Sequence, residues 1–268
     1  MDLLHHSIKC EILDPSLLLY HNQRYFHYGV HSSISDSQEA AFWEKINDAQ
    51  LLTRKFLAQS SHIILTFGTA FIYELKSTGQ PVCNCHKQAR SLFNKRLLDL
   101  DEMMDHFQKF HALFHQVNPE GKIILTLSPV RHTREGIPEN QLSKSLLRVW
   151  IHQLQQFDGV TYFPSYELMV DDLRDYRFYD EDLVHPSKLA EDYIWDIFKT
   201  TYLDSGDFEK IRMIEEVKHA LQHRPFHPGS GEHQKFLQKL LEKMEHLAIE
   251  FDFSQEIESV KNQLFADY

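Results

Sequence analysis

An aspartate and a histidine lie three residues apart in a polar segment late in the chain, and both are residue types used in acid–base chemistry. The segment Asp182-Leu183-Val184-His185 precedes Pro186-Ser187, where a helix is expected to begin. Such a histidine can act as general base on a hydroxyl, and the carboxylate can fix its tautomer and stabilise the imidazolium. The same segment also fits a simple helix start, because Pro and Ser favour the first turn. The spacing alone leaves both interpretations open.

A second group of reactive side chains combines thiols with an imidazole. Cys83, Cys85 and His86 lie within four residues, and thiolate and imidazole are both zinc ligands. A structural zinc site usually takes a second, distant ligand pair, and the only other cysteine is Cys10. We therefore expect no metal, and we expect Asn84 and His86 to line a cleft.

Two basic residues follow a predicted strand. Arg131 and His132 come shortly after residues 123–127, where they could bind a carboxylate or phosphate of a substrate. The alternative is an ion pair with the acidic cluster Asp171-Asp172-Arg174-Asp175. That cluster could also be interpreted as a Ca²⁺ or Mg²⁺ site, but its interleaved arginine makes internal salt bridges the better interpretation.

The elements that would position these residues follow from apolar runs and helical periodicity. Continuous apolar runs predict buried strands at 63–67, 123–127 and 160–163, and apolar stripes predict helices ending near Gln59 and spanning about 100–117, 139–157 and 187–202. Alternating strands and helices predict a parallel sheet buried on both faces. Sites in such sheets form beyond the carboxyl ends of the strands, which here include Gly68-Thr69 and Arg131-His132.

The last part of the chain differs from the first. Residues 1–205 are predicted to form the α/β domain, and residues 206–268 a helical extension packed on it or appended to it. The extension has an amphipathic stripe from Phe236 to Phe251, which could dock a partner, although packing within the same protein is its ordinary role.

Composition narrows the classes of function. The 268 residues contain 28 Lys and Arg against 39 Asp and Glu, for a formal net charge of −11, which argues against binding a nucleic-acid backbone. No apolar run is long enough to cross a bilayer, and the first residues lack the features of a signal peptide. Three cysteines do not make a disulfide framework. We therefore expect a cytoplasmic protein without a cofactor.

Several blocks in order along the chain resemble the GSCFA family. They are Thr66 to Phe71, Asn84 to Lys87, Ser128 to His132, Asn140 to Lys144, Tyr166 to Ser187, and His223-Arg224-Pro225-Phe226. GSCFA domains are similar to the SGNH/GDSL hydrolases, which are three-layer α/β/α, flavodoxin-like proteins that cleave esters with a Ser-His-Asp arrangement. The resemblance implies that Asp182 is the orienting acid and His185 the base.

The resemblance also suggests where an oxyanion and a substrate would bind. Gly68 and Thr69 fall where SGNH enzymes place an oxyanion-hole segment, which usually contains an asparagine that is missing directly after Gly68 here. Asn84 is a candidate substitute by motif. The predicted oxyanion and substrate-binding residues are Gly68, Thr69, Asn84, His86, Arg131 and His132.

This sequence departs from the family at its beginning. The Gly-Ser-Cys-Phe-Ala segment that gives the family its name, and whose serine would be the nucleophile, does not occur in it. The resemblance therefore implies that about the first two strands are missing, which would leave strand 63–67 with an unpaired apolar edge. We expect the chain to be unstable or to self-associate through that edge. The other serines considered are poor substitutes: Ser32, Ser33, Ser128 and Ser187.

Two functions of different classes remain. The first is an ester hydrolase of SGNH type acting on a small-molecule, glycan or lipid ester, inactive in the chain as given because the nucleophile segment is missing. The second is a non-catalytic binding or interaction protein that retains the hydrolase fold.

Overall fold

The structure is a computed structural model that describes residues 2–223, 225 and 229–264. It divides into two compact units, Met1–Ile194 and Trp195–Tyr268. The strands of the first unit are β1 (Leu18–His21), β2 (Arg24–His27), β3 (His62–Phe67), β4 (Phe71–Leu75), β5 (Pro81–Val82), β6 (Phe93–Leu97), β7 (Lys122–Leu127) and β8 (Val160–Phe163). Its helices are α1 (Asp2–Lys9), α2 (Glu39–Gln59), α3 (Leu100–Val117), α4 (Ile137–Leu154) and the short α5 (Ser165–Glu167). Helix α6 (Lys188–Tyr202) contains the boundary between the units.

The three predicted strands form one parallel sheet in the order β3-β7-β8. Ile63 lies opposite Ile123, and Ile123 lies opposite Val160, so the apolar runs are in register. The prediction of a mixed α/β protein with a parallel sheet and a helical C-terminal region is confirmed.

The two faces of this sheet are covered unequally. On one face, side chains of β3 and β7 pack on α1, α3 and α4, in a core that includes Phe107, Phe110 and Trp150. On the other face Ile124 of β7 is buried, whereas its neighbour Ile64 of β3 is 53% exposed. The expectation that every strand is buried on both faces is therefore correct for β7 and wrong for β3, because nothing within the described residues covers that face of β3.

A second, antiparallel sheet follows β3. Its order is β5-β4-β6, and the hairpin β1-β2 forms a separate two-stranded sheet. Strand β6 was not predicted, because its sequence Phe-Asn-Lys-Arg-Leu is charged at its centre. Arg96 is instead paired in the structure with Glu74 of β4 and Glu102 of α3. These partners are distant in sequence, so local patterning does not reveal the strand.

The second unit is helical. It contains α7 (Phe208–Leu221), α8 (Gly231–Leu247) and α9 (Ser254–Leu264), with Val217, Leu237, Met244 and Val260 in a common buried core. The apolar stripe of α8 is thus packed within its own unit. Arg224 and Phe226, part of the block that resembles the GSCFA family, lie outside the described residues. Across the described ranges, the helices are all too short or too polar to traverse a lipid bilayer.

Candidate active site

Asp182 and His185 form a hydrogen-bonded pair within one turn. His185 Nδ1 lies 2.6 Å from Asp182 Oδ2, while Asp182 Oδ1 accepts the backbone N–H groups of Val184 at 2.8 Å and His185 at 3.0 Å. Hydrogen bonds lower the pKa of Asp182 to about 2. The bond from the His185 backbone N–H contributes most, followed by the bond from the His185 ring and then by the one from the Val184 N–H. The carboxylate is therefore ionised at neutral pH, and the bond to Nδ1 leaves Nε2 as the nitrogen that can accept a proton.

The backbone of this segment is held in a compact loop. Asp180 N–H donates to the His185 carbonyl at 2.9 Å and Leu183 N–H donates to the Asp180 carbonyl, also at 2.9 Å. Leu183 has φ of 56°, in the left-handed region, so the loop closes with a locally unfavourable residue. The side chains of His185 and Asp182 stay about half exposed, at 58% and 48%. The pair is therefore preformed and accessible to solvent.

Hydrogen bonds join this loop to the carboxyl end of β7. Arg131 N–H donates to the Val184 carbonyl at 3.1 Å, and Arg131 Nη1 donates to the Leu183 carbonyl at 2.9 Å. The guanidinium also lies 5.7 Å from the ring centroid of Tyr179. The expected alternative, an ion pair between Arg131 and the acidic cluster at 171–175, is not observed among the described side chains, and Asp171 is paired with Arg174 instead.

The carboxyl ends of β3 and β7 approach each other closely. A Cβ added at Gly68 would lie 3.1 Å from His132 Nε2, so glycine allows the imidazole to approach the β3 end. The His132 backbone N–H donates to Asn140 Oδ1 of α4 at 2.7 Å, which fixes the loop after β7. Gly68, Arg131 and His132 thus meet at one end of the sheet, and the Asp182–His185 loop is bonded to that end.

A buried lysine and serine of α4 hold the two strand ends together. Lys144 Nζ donates to the Gly68 carbonyl at 2.7 Å and to the Ser128 carbonyl at 2.6 Å, although only 1% of the residue is exposed. Burial lowers the pKa of Lys144 to about 8. Ser143 Oγ accepts the Ala70 N–H at 2.7 Å and is 3.1 Å from Thr69 Oγ1. The Thr69 hydroxyl is therefore part of a structural network.

A cleft of about 500 Å³ opens beside these strand ends. It is lined by Thr69, Phe71, Tyr73, Lys95, Arg131, His132, Thr133, Arg134 and Val184. Three of the predicted binding residues, Thr69, Arg131 and His132, are among them, and Val184 belongs to the turn that carries the Asp182–His185 pair.

Asn84 and His86 are not among the residues that line this cleft. Asn84 Oδ1 accepts the His86 N–H at 2.8 Å, and His86 Nε2 is 2.9 Å from the His27 carbonyl in a buried position. Burial lowers the pKa of His86, so the ring is kept neutral in this position. Both residues connect the β5 region with β2.

Three of the four serines considered as nucleophiles have local partners. Ser128 Oγ accepts the Val130 N–H at 3.2 Å, Ser187 Oγ accepts the Ala190 N–H at the start of α6 at 3.4 Å, and Ser33 Oγ is 2.9 Å from His31 Nδ1. For the part of the chain that the structure describes, no serine hydroxyl is hydrogen-bonded to His185.

Some site residues gave little signal in the sequence. Lys95 and Arg134 are ordinary surface types in a chain of 28 basic residues, and Lys144 lies on a helix where a lysine normally faces solvent. The only local sequence signal that this turn of α4 faces inward is the pair of apolar residues Leu146 and Leu147 close to Lys144. Within the described ranges, no group of three or more His, Cys, Asp or Glu side chains could hold a metal ion.

Comparison with protein-family models gives two matches. The model of the GSCFA family matches residues 1–198, and the model described as GSCFA domain protein, C-terminal domain, matches residues 214–265. A search of curated proteins and a search of solved structures each returned no significant match. Since the first match spans well over half of the chain and includes the cleft and the Asp182–His185 pair, this protein belongs to the GSCFA family.

Proposed function

We propose that this chain carries the base and its orienting acid of an SGNH-type centre that cleaves acyl esters. The observation that supports it most directly is the pair itself: the ionised Asp182 is 2.6 Å from His185 Nδ1. That contact holds one tautomer and would stabilise the imidazolium formed when Nε2 takes a proton.

The proposed reaction is acyl transfer to a hydroxyl. His185 Nε2 takes the proton of a serine Oγ as this oxygen bonds to the ester carbonyl carbon, and the tetrahedral intermediate then expels the alcohol, which receives that proton. Water, activated by the same nitrogen, cleaves the acyl-serine ester and regenerates both groups. Asp182 remains a carboxylate throughout.

The serine of this scheme is the one in the Gly-Ser-Cys-Phe-Ala segment of the family. Because the sequence lacks that segment and the described residues place no serine on His185, we expect the chain as given to bind but not to turn over esters. In the chain as given, the hydrolase proposal therefore leads to the second candidate function, a binding protein that retains the fold. The observation that favours this second candidate is the preformed cleft of about 500 Å³.

The test compares two polypeptides, the present chain and one extended at its N-terminus by the family's first two strands, with the Gly-Ser-Cys-Phe-Ala segment among them. The longer polypeptide should hydrolyse 4-nitrophenyl acetate, and His185→Ala in it should lower kcat/KM by about 10²–10⁴-fold, as expected for loss of a general base. His152→Ala, an exposed histidine of α4, is the matched control. Equal turnover by His185→Ala and His152→Ala, with circular dichroism unchanged, would remove His185 from the mechanism.

A further inference from the structure

The cleft beside the Asp182–His185 loop has an unusual charge for this protein. The chain as a whole has a formal net charge of −11, yet the described side chains that line the cleft include Lys95, Arg131, Arg134 and His132, and none of those described is an aspartate or glutamate. Cations concentrated in a concave site with low-dielectric walls attract anions selectively, even when the whole molecule is negative. An anionic ligand is therefore favoured in this cleft.

The arginine nearest the Asp182–His185 loop is held in place without losing its charge. Arg131 donates one hydrogen bond to the Leu183 carbonyl and lies over the ring of Tyr179. Neither contact neutralises the guanidinium, which retains further N–H donors for the bidentate recognition of a carboxylate or phosphate. Among the side chains that the structure describes, no carboxylate forms an ion pair with Arg131 or Arg134.

The part of the cleft lined by β4 and β6 combines a cation with aromatic surface. Lys95 Nζ of β6 lies 4.5 Å from the ring centroid of Phe71 and 5.5 Å from that of Tyr73, both on β4. These contacts place the ammonium at the cleft wall and leave apolar surface beside it, where the uncharged part of a ligand can pack.

We propose that this cleft binds the anionic group, a carboxylate or a phosphate, of the ligand whose ester bond faces His185. Lys95, Arg131 and Arg134 are its binding residues, in addition to His132. Val184 lines the cleft, accepts the Arg131 N–H and directly precedes His185, so a ligand that extends from Arg131 past Val184 would reach the residue that carries the imidazole. The identification of the ligand as an ester rests on the proposed function, whereas the anion site itself does not.

The experiment titrates the full chain with inorganic phosphate and, separately, with succinate, by isothermal calorimetry at low ionic strength. Phosphate or succinate should bind, and Arg134→Gln and Lys95→Gln should each weaken binding by about tenfold, since each removes one charge-assisted hydrogen bond. The anion that binds more tightly identifies the group as phosphate or carboxylate. Lys76→Gln is the matched control, because Lys76 is exposed at the β4–β5 turn and does not line the cleft.

Two results would overturn the proposal. One is that neither anion binds, and the other is that Lys76→Gln weakens binding as much as the cleft variants, which would indicate a general charge effect. Circular dichroism and the urea midpoint of each variant show whether it is folded. His185→Ala should retain anion binding while it abolishes hydrolysis in the longer polypeptide, so failure of the hydrolase proposal and failure of the anion site give different results.

Discussion

Replacement of Lys144 by methionine tests how α4 holds the two strand ends together. Lys144 is 1% exposed, and its ammonium donates to the carbonyls of Gly68 and Ser128. Methionine has similar length, but it leaves both carbonyls without that donor. Each hydrogen bond to a charged group contributes about 1.5–3 kcal/mol, and this loss is partly offset because no charge is then buried. We expect Lys144→Met to lower the free energy of unfolding at pH 7 by about 1–3 kcal/mol.

The pH dependence gives a sharper test, because its sign follows from the lowered pKa. Burial lowers the pKa of Lys144 from its ordinary 10.5 to about 8, so between these values the unfolded chain binds more protons than the folded one. The free energy of unfolding therefore rises with pH over this range. At about 1.4 kcal/mol for each pH unit between the two pKa values, the full gain is about 3 kcal/mol, of which about 2 is reached by pH 9.5.

The measurement is urea unfolding of the wild type and Lys144→Met at pH 7 and at pH 9.5. Other titrating groups affect the stability of both proteins alike. Between pH 7 and pH 9.5 the free energy of unfolding of the wild type should therefore rise by about 2 kcal/mol relative to that of the variant. Lys55→Met, an exposed lysine of α2, is the control and should change stability by no more than about 0.5 kcal/mol at either pH. A gap between wild type and Lys144→Met that is the same at both pH values would refute the argument that a buried charge is held here.

Two further predictions concern the sheet. Gly68→Ala should lower the free energy of unfolding by about 1 kcal/mol and weaken phosphate binding, because the new Cβ would lie 3.1 Å from His132 Nε2. Gly231→Ala is the control and should be neutral, because its Cβ meets nothing within 4 Å. Equal urea midpoints for the two variants would contradict this prediction. We also expect the chain to self-associate through the edge of β3 that is unpaired within the described residues, where β3 is the outermost strand of its sheet. Ile64→Lys, on the exposed face of this edge strand, should shift sedimentation towards monomer, while Leu52→Lys, equally exposed at 53% on α2, should not. A wild type that is monomeric at about 100 µM would contradict that expectation.

Much of the local structure could be predicted from patterns in the sequence. The runs that became β3, β7 and β8 are continuous and apolar, and the stripe of Met103, Phe107, Phe110 and Phe114 corresponds to the buried face of α3. Strands of a parallel sheet and amphipathic helices bury residues at a fixed spacing. Their apolar patterns can therefore be recognised in the sequence even when the elements they pack against are unknown.

Elements whose stability comes from distant contacts were missed. Strand β6 has a charged centre, and Arg96 is neutralised by Glu74 and Glu102 from two other elements. Helix α1 was also not predicted, and its Ile8 is buried in the main core of the first unit. In both cases the stabilising partner lies outside any window that a local pattern can sample.

For the candidate site, spacing along the chain was informative for only one pair. Asp182 and His185 lie in one loop, so three residues of separation sufficed to suggest a contact that the structure has at 2.6 Å. Asn84 and His86 were expected in the cleft on their residue types, but their hydrogen bonds place them between β5 and β2. Residue type indicates what a side chain can bind, not which surface it reaches.

The sequence by itself determined the parallel strands, the main helices and the Asp182–His185 turn, because each depends on contacts between near neighbours or on burial at a regular spacing. Only the tertiary structure decided that Lys95, Arg131 and Arg134 share one cleft and that Lys144 is buried where it joins the ends of β3 and β7. These residues lie on three separate segments, and their convergence depends on how β6, the loop after β7 and α4 pack together. Charge and burial at such a site are properties of the assembled fold, which no single segment encodes.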